Sequence, residues 1–267
     1  MIRILAIFCI LFSTSLRAET IKLAVTTSFH NSGLSDILLP EILADTGLAV
    51  QLLVVGTGQA LRLGEAGDVD AILVHSKQAE VDFVANGFGT HRREIMYNDF
   101  VIIGPASDPS NIQNAQSADA ALSQIASHKA AFVSRGDQSG THKKELGLWQ
   151  TANLDPEAFG GWYRSVGSGM GASLNIASSM NAHILSDRAS WLNFGNKGAL
   201  GLLFSGDPQL ANQYAYIPVN PERHRHVNSS ATIILEKWLT SRAAELLING
   251  YEIGGQPLFV FNASPTR

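Results

Sequence analysis

The chain has 267 residues, with 19 lysines and arginines against 23 aspartates and glutamates, and a formal net charge of −4. A mildly acidic chain without a basic stripe argues against nucleic acid as a partner, and any bound anion must be held by a local pocket. The single cysteine excludes an intramolecular disulfide framework.

The first eighteen residues have the pattern of an export signal. Arg3 precedes the apolar run 4–12, which is too short to span a bilayer, and a polar segment leads to Ala18. We predict cleavage after Ala18 and export of the mature protein. The cut removes Cys9, so we expect no thiol chemistry. No later segment has the ~20 continuous apolar residues of a membrane helix, which predicts a soluble product.

Strand-like and helix-like runs alternate along the rest of the chain. Apolar runs predict strands at 21–25, 50–55, 71–74, 100–103 and 130–133. Helical patterns follow at 36–44, 77–86, 118–128, 172–181 and 231–249. This alternation predicts an α/β fold of parallel sheets covered by helices.

The length of the mature chain favours two domains over one. Two extended runs that end at a proline, 98–105 and 214–221, are the expected crossings between them. We predict a first lobe of residues 19–102 and 215–267 and a second lobe of residues 103–214. A ligand cleft is expected between the two lobes.

The last of these strands leads into a turn with the features of an anion site. Arg135 supplies a fixed positive charge, Ser139 and Thr141 supply hydroxyls, and Gly140 leaves the N–H groups of the first helical turn accessible. The same residues also fit a simpler role. In that role Ser139 or Thr141 caps the helix, and Arg135 pairs with Asp137 at the surface.

Two earlier strand-to-helix turns carry hydroxyls in the same position. Thr26, Thr27 and Ser28 follow the first predicted strand, and Thr57 lies between two glycines after the second. Ligands of open α/β sheets bind outside the carboxyl ends of strands, so the three turns are expected to converge. Each turn alone is also compatible with ordinary turn chemistry. Their convergence favours a binding site.

Every predicted contact of this site is a hydrogen-bond donor, which suits an oxyanion that carries no proton. Hydrogen phosphate would gain from a carboxylate acceptor, and the third strand ends at His75 without an acid. Because Asp137 lies nearby in sequence, phosphate is disfavoured but stays an alternative. Sulfate, molybdate and tungstate all meet the charge requirement. His75 fits either an orienting partner or an ordinary polar residue at a strand end.

An exported hydrolase is the rival class of function. The sequence has no Gly-x-Ser-x-Gly elbow, phosphate loop or zinc-helix motif, and the spacing of Ser139 and His142 does not make a dyad. Asp187 and Arg188 fit an internal ion pair or a helix cap. The run 223–226 fits a solvated loop better than a metal site. We therefore predict no enzyme activity, no metal and no cofactor.

Seven segments carry a more specific pattern in this order: Thr26-Thr27-Ser28, 56–61, 67–75, 96–101, 134–142, 169–171 and 186–188. They span nearly the whole mature chain and resemble the tungstate-binding periplasmic proteins of ABC importers. The resemblance implies the two-lobed, type II periplasmic binding-protein fold, closing on a tetrahedral oxyanion. It also implies a monomer that delivers tungstate, or alternatively molybdate, to a membrane permease driven by a separate ATPase.

The resemblance also implies which residues bind the ligand. By position they are Thr27 and Ser28 in the first turn, Thr57 in the second, and Arg135, Ser139, Gly140 and Thr141 in the third. The chain departs from the family pattern at Val25, Gln138, His183 and Ala189. At Val25 a further threonine is usual, which implies weaker binding or altered selectivity. A receptor for another oxyanion, or one that signals without transport, would share the same cleft.

Overall fold

The computed structural model describes residues 19–264, so the predicted export signal and Cys9 lie outside the described residues. The strands in this range are β1 (Glu19–Thr26), β2 (Leu48–Val55), β3 (Ala71–Val74), β4 (Arg93–Pro105), β5 (Phe132–Ser134), β6 (Tyr163–Ser165), β7 (His183–Asp187), β8 (Leu200–Phe204), β9 (Ala211–Pro218), β10 (Glu252–Ile253), β11 (Gln256–Pro257) and β12 (Val260–Phe261). The α-helices are α1 (Thr27–Asn31), α2 (Leu34–Thr46), α3 (Thr57–Ala66), α4 (Lys77–Ala85), α5 (Ala118–Ser127), α6 (Gly140–Thr151), α7 (Met170–Met180), α8 (Arg188–Asn193), α9 (Ser229–Leu239) and α10 (Arg242–Asn249). Among the described residues, no helix combines the length and apolar character needed to cross a bilayer.

The first lobe is built on the sheet β2-β1-β3-β9 and the first half of β4. β1 is parallel to β2 and β3, and β9 is antiparallel to β3 and β4. Ile21, Leu23 and Val25 of β1 enter a core shared with α2, α9 and α10. Ala24 enters a second core, on the face covered by α3 and α4. Successive strand side chains point to opposite sides of the sheet, so β1 contributes to both cores, and the helices on each side bury both faces.

The second lobe is built on the second half of β4 together with β7, β5, β6 and β8. β5 is parallel to β6 and β7, whereas β7 and β8 run antiparallel to β4. Phe100 and Ile102 pack with α5 and α6 on one face. Val101 and Ile103 pack with α7 and α8 on the other. This lobe is therefore also a sheet between helical layers, as the sequence predicts. The predicted parallel arrangement is wrong for both lobes, because β9 in the first sheet and β4 in the second, the strands on which the chain crosses between the lobes, run antiparallel to their neighbours.

Strand β4 connects the two lobes. Its residues up to Asp99 pair with β9, whereas Phe100 and the residues after it pair with β7 and β8. β9 returns the chain to the first sheet, between β3 and β4. The buried side chains of Asn98 and Asn212 join β4 to β9 by a 2.7 Å hydrogen bond. The lobe limits at 102/103 and 214/215 stay a prediction.

The predicted helix 231–249 is wrong as a single element. α9 ends at Leu239 and α10 begins at Arg242. Between them Ser241 has extended backbone angles, and its hydroxyl accepts a 3.3 Å hydrogen bond from the N–H of Ala244. The apolar periodicity continues through the break because both helices bury residues in the same core. The local cap therefore overrides the periodic pattern.

Candidate functional site

A cavity of about 520 Å³ lies between the two lobes. The first lobe contributes α1, and the second lobe contributes the loop after β5, the end of β7 and the beginnings of α7 and α8. The residues that line it are Thr27, Ser28, Asn31, Arg135, Gly169, Met170, Gly171, Ala172, Leu174, Asp187, Ser190, Asn193 and Phe194. The cavity lies where strands and helices meet, which is the place predicted for a ligand.

Helix α7 presents an uncapped N-terminus to the cavity. Its N-cap residue is Gly169, and no side chain in the described part of the chain caps its first turn. By contrast, α5, α6 and α8 each have a side-chain cap. The first N–H groups of an α-helix lack partners within the helix and form the positive end of its dipole. Gly169, Gly171 and Ala172 therefore provide a surface that suits an anion.

The wall formed by the first lobe is a cluster of hydroxyls. The Oγ of Ser28 lies 3.1 Å from the Oγ1 of Thr26, 3.1 Å from the Nε2 of His75 and 3.3 Å from the Tyr214 hydroxyl. Thr26 also caps α1 by accepting a bond from the N–H of Phe29. Burial lowers the pKa of His75 to about 4, so the imidazole is neutral at pH 7. A neutral ring can donate from Nε2 to Ser28, which leaves the serine hydrogen free for a ligand.

Arg135 is held at the cavity by its own loop. One guanidinium nitrogen pairs with the Asp137 carboxylate, and Nη1 lies 3.4 Å from the Oγ1 of Thr141. Its Nε is buried and has no hydrogen-bond partner among the described residues. Burial acts to raise the pKa of Asp137, but hydrogen bonds from Ser139 and the charge of Arg135 outweigh it and hold that pKa below its usual value. The simpler pairing expected from the sequence is present, yet Arg135 still lines the cavity.

The two lobes approach closely at Gly140. A Cβ atom added to Gly140 would lie 2.8 Å from the Cε1 of His75. His75 follows β3 of the first lobe, whereas Gly140 begins α6 of the second. A side chain at position 140 would therefore displace the imidazole that contacts Ser28.

The seven residues predicted to bind the ligand occupy different positions. The three that line the cavity are Thr27, Ser28 and Arg135. Gly140 and Thr141 lie beside it, in contact with His75 and Arg135 respectively. Thr57 is buried at the start of α3, and Ser139 caps α6 by accepting a 3.3 Å bond from the N–H of His142. Neither lines the cavity, and the ligand role of all seven stays a prediction.

Asp187 is the site residue whose place the sequence reasoning missed. The sequence predicts that Asp187 forms an ion pair with Arg188 or caps a helix. It caps α8 by accepting a 2.9 Å bond from the N–H of Ser190, but Arg188 instead bonds Asp99, with 2.6 Å from Nε to Oδ1. The buried carboxylate lines the cavity. Its position at the end of a strand is the signal that could have found it.

Comparisons with known proteins agree with this architecture. Residues 13–242 match the PBP superfamily domain. The chain is 45% identical over 249 residues to the tungstate-binding protein TupA of Peptoclostridium acidaminophilum, which covers 92% of this chain and 86% of that protein. It is 36% identical over 244 residues to the TupA of Campylobacter jejuni subsp. jejuni, with 90% of each covered.

Two solved structures extend the likeness to the fold. The tungstate-binding protein TupA from Desulfovibrio alaskensis G20 has a TM-score of 0.86 at 41% identity, covering 92% of this chain and 100% of that chain. The tungstate ABC transporter structure from Geobacter sulfurreducens has a TM-score of 0.79 at 44% identity, covering 87% and 99%. The predicted α/β, two-lobed periplasmic binding-protein fold is confirmed.

Proposed function

Because this chain belongs to the PBP superfamily and, within it, to the family of TupA tungstate-binding proteins, we propose that it captures tungstate for an ABC importer. The oxyanion binds in the cavity between the lobes and is then delivered to the membrane permease. The chain is the substrate-binding component of the importer and not an enzyme.

One observation supports this proposal above the others: donors from both lobes face the same cavity. The first lobe offers the hydroxyls of Thr27 and Ser28, and the second offers Arg135 and the uncapped start of α7. A tetrahedral oxyanion carries acceptors in four directions and can satisfy both walls together. Binding across the two walls would favour the closed arrangement of the lobes, because only that arrangement completes the donor set.

Arg135 provides the charge that a neutral donor set lacks. A guanidinium can donate two parallel hydrogen bonds to two oxygens of an oxyanion. Asp137 and Thr141 hold the side chain in place, so little side-chain entropy is lost when the ligand arrives. The remaining donors select for acceptor oxygens and against cations.

The partners and location follow from the same family. We place the mature protein in the periplasm, after removal of residues 1–18, as a monomer. The permease receives the ligand, and a separate ATPase drives the transport. No cofactor is required, because the donors described above need only the oxyanion itself.

Calorimetric titration of the mature protein, residues 19–267, tests the proposal. Tungstate is titrated first, and molybdate, sulfate and phosphate follow as competitors at the same pH. One-to-one binding of tungstate that sulfate and phosphate do not displace is the expected result. Binding of phosphate or sulfate but not of tungstate would support an anion-binding role for the cavity and overturn tungstate as its ligand. An absence of binding to all four anions would overturn the function.

A further inference from the structure

The cavity contains a carboxylate that an anion receptor would not be expected to carry. Among the residues that line it, Asp187 is the one acid and Arg135 the one permanent cation. Asp187 lies at the end of β7 and is 3% exposed, so its carboxylate is removed from bulk water. An ionised carboxylate at this position would repel a doubly charged oxyanion in the same cavity.

Within residues 19–264, no cation compensates the charge of Asp187 by direct pairing. Arg135 pairs with Asp137, and Arg188 pairs with Asp99 of β4. The contacts of the carboxylate come from its own helix, where the N–H of Ser190 donates to Oδ1. Its negative charge is therefore stabilised by local hydrogen bonding and by Arg135 at longer range.

The other elements packed against Asp187 do not supply a positive charge either. Opposite it on β4 is the apolar Phe100, and α7 carries no ionisable side chain. His30 of α1 is exposed to solvent. From β9 the Tyr214 hydroxyl faces this region, and the charge of Asp187 helps to raise the pKa of that phenol.

The charges around the cavity favour the neutral form of Asp187 when an anion binds. The guanidinium of Arg135 already pairs with Asp137, and the neighbouring His75 is neutral because burial lowers its pKa to about 4. Burial also raises the pKa of Asp187 above its usual value before any ligand binds. A dianion would raise that pKa further, since like charges at close range disfavour ionisation.

We propose that Asp187 is protonated whenever the cavity holds a doubly charged oxyanion, so that capture of the anion takes up one proton from solvent. The inference rests on the proposed function only in that an oxyanion must bind. The proton adds to a carboxylate oxygen, no other bond forms or breaks, and the neutral carboxyl group donates a hydrogen bond to the ligand. Asp187 is thereby a specificity-determining residue, because only a ligand with an acceptor oxygen can use its hydrogen.

The proposal fixes the sign of the pH dependence. Only protein with a neutral Asp187 binds the anion. The apparent Kd therefore grows as the fraction of free protein with a protonated Asp187 falls. Above the pKa of Asp187 in the free protein, affinity should fall by about tenfold for each pH unit. Below that pKa the affinity should be constant and the proton uptake should approach zero.

Calorimetry of the mature protein between pH 6 and pH 9 tests the proposal, with tungstate as the probe. Titrations in buffers of different ionisation enthalpy count the protons taken up. For the wild type we expect uptake to approach one proton and Kd to weaken with rising pH. Asp187→Asn needs no proton and can still cap α8, so its Kd should not vary with pH and its uptake should be zero.

Asp207→Asn is the matched control. Asp207 also caps a helical turn, accepting a 2.7 Å bond from the N–H of Gln209, but it does not line this cavity. This variant should keep the pH dependence of the wild type. If Asp187→Asn keeps it too, or if the wild type shows neither proton uptake nor a pH-dependent Kd, the proposal is overturned.

A second variant keeps the test decisive if Asp187→Asn fails to fold. The Ser190 side chain beside Asp187 also acts to lower the pKa of that carboxyl group. Ser190→Ala should therefore shift the fall in affinity to higher pH, and an unshifted profile would contradict the proposal. If tungstate does not bind but sulfate or phosphate does, the proposed ligand fails. The difference in proton uptake between the wild type and Asp187→Asn with that anion still tests Asp187, because the anion's own protons cancel in the difference. If none binds, both proposals fail.

Discussion

Substitution of Arg135 by alanine should weaken tungstate binding by at least tenfold. The guanidinium is the permanent positive charge that lines the cavity, and its Nε has no partner among the described residues. Alanine removes both the charge and the N–H donors. It also leaves Asp137, which Arg135 now neutralises, ionised beside the anion.

The magnitude follows from the bonds that are lost. Hydrogen bonds to charged groups contribute about 1.5–3 kcal/mol each. Since each 1.4 kcal/mol is a factor of ten, loss of one such bond weakens Kd by roughly 10- to 150-fold. Repulsion from the unpaired Asp137 adds to this loss. Titration calorimetry at pH 7.5 measures the change, and circular dichroism confirms that the variant is folded.

Two further variants separate the charge from a general disturbance of the protein. Arg135→Ala combined with Asp137→Asn should recover part of the lost affinity, because the uncompensated carboxylate is gone. Arg164→Ala removes an exposed arginine of the same lobe and should leave Kd unchanged. An unchanged Kd in Arg135→Ala would refute the reasoning and remove Arg135 from the site.

Two other predictions concern the lobe contact and a buried acid. Gly140→Ala should weaken tungstate binding, because its Cβ would lie 2.8 Å from the His75 ring. Gly147→Ala on the same helix is the control, since a Cβ at that position would meet nothing within 4 Å. Calorimetric titration with tungstate measures Kd for both variants. Equal Kd values for the two variants would contradict this. Burial raises the pKa of Glu145 to about 7, so the folded protein binds more protons than the unfolded chain between about pH 4.5 and pH 7, and stability falls as pH rises through that window. Glu145→Gln keeps an acceptor for the Trp149 and Tyr163 donors. Because each unit of pKa shift corresponds to about 1.36 kcal/mol, this variant should raise the free energy of unfolding at pH 8 by a few kcal/mol. At pH 4 the variant and the wild type should differ little. Urea unfolding of the variant and the wild type at both pH values measures this difference in the free energy of unfolding. A difference that does not depend on pH would contradict a raised pKa for Glu145.

The elements of the fold were readable from local sequence wherever burial imposes a pattern. β3 coincides with the predicted strand 71–74, whose four residues are all buried. α5 begins at the predicted residue, Ala118, because Ser117 provides a side-chain cap. Short-range periodicity and capping are properties of neighbouring residues, so they need no knowledge of the rest of the chain. The break at Ser241 was missed because the apolar pattern continues on both sides of it.

The sequence alone determined the two-lobed α/β class and the hydroxyl, glycine and arginine residues of the strand-to-helix turns, since these follow from local patterns and residue types. Only the tertiary structure decided which turns meet. Thr27, Ser28 and Arg135 line one cavity, whereas Thr57 does not. Asp187 joins that cavity because β4 passes from one sheet to the other and brings the end of β7 towards α1. The distances between these residues depend on strand pairing across the whole chain, which no local pattern specifies.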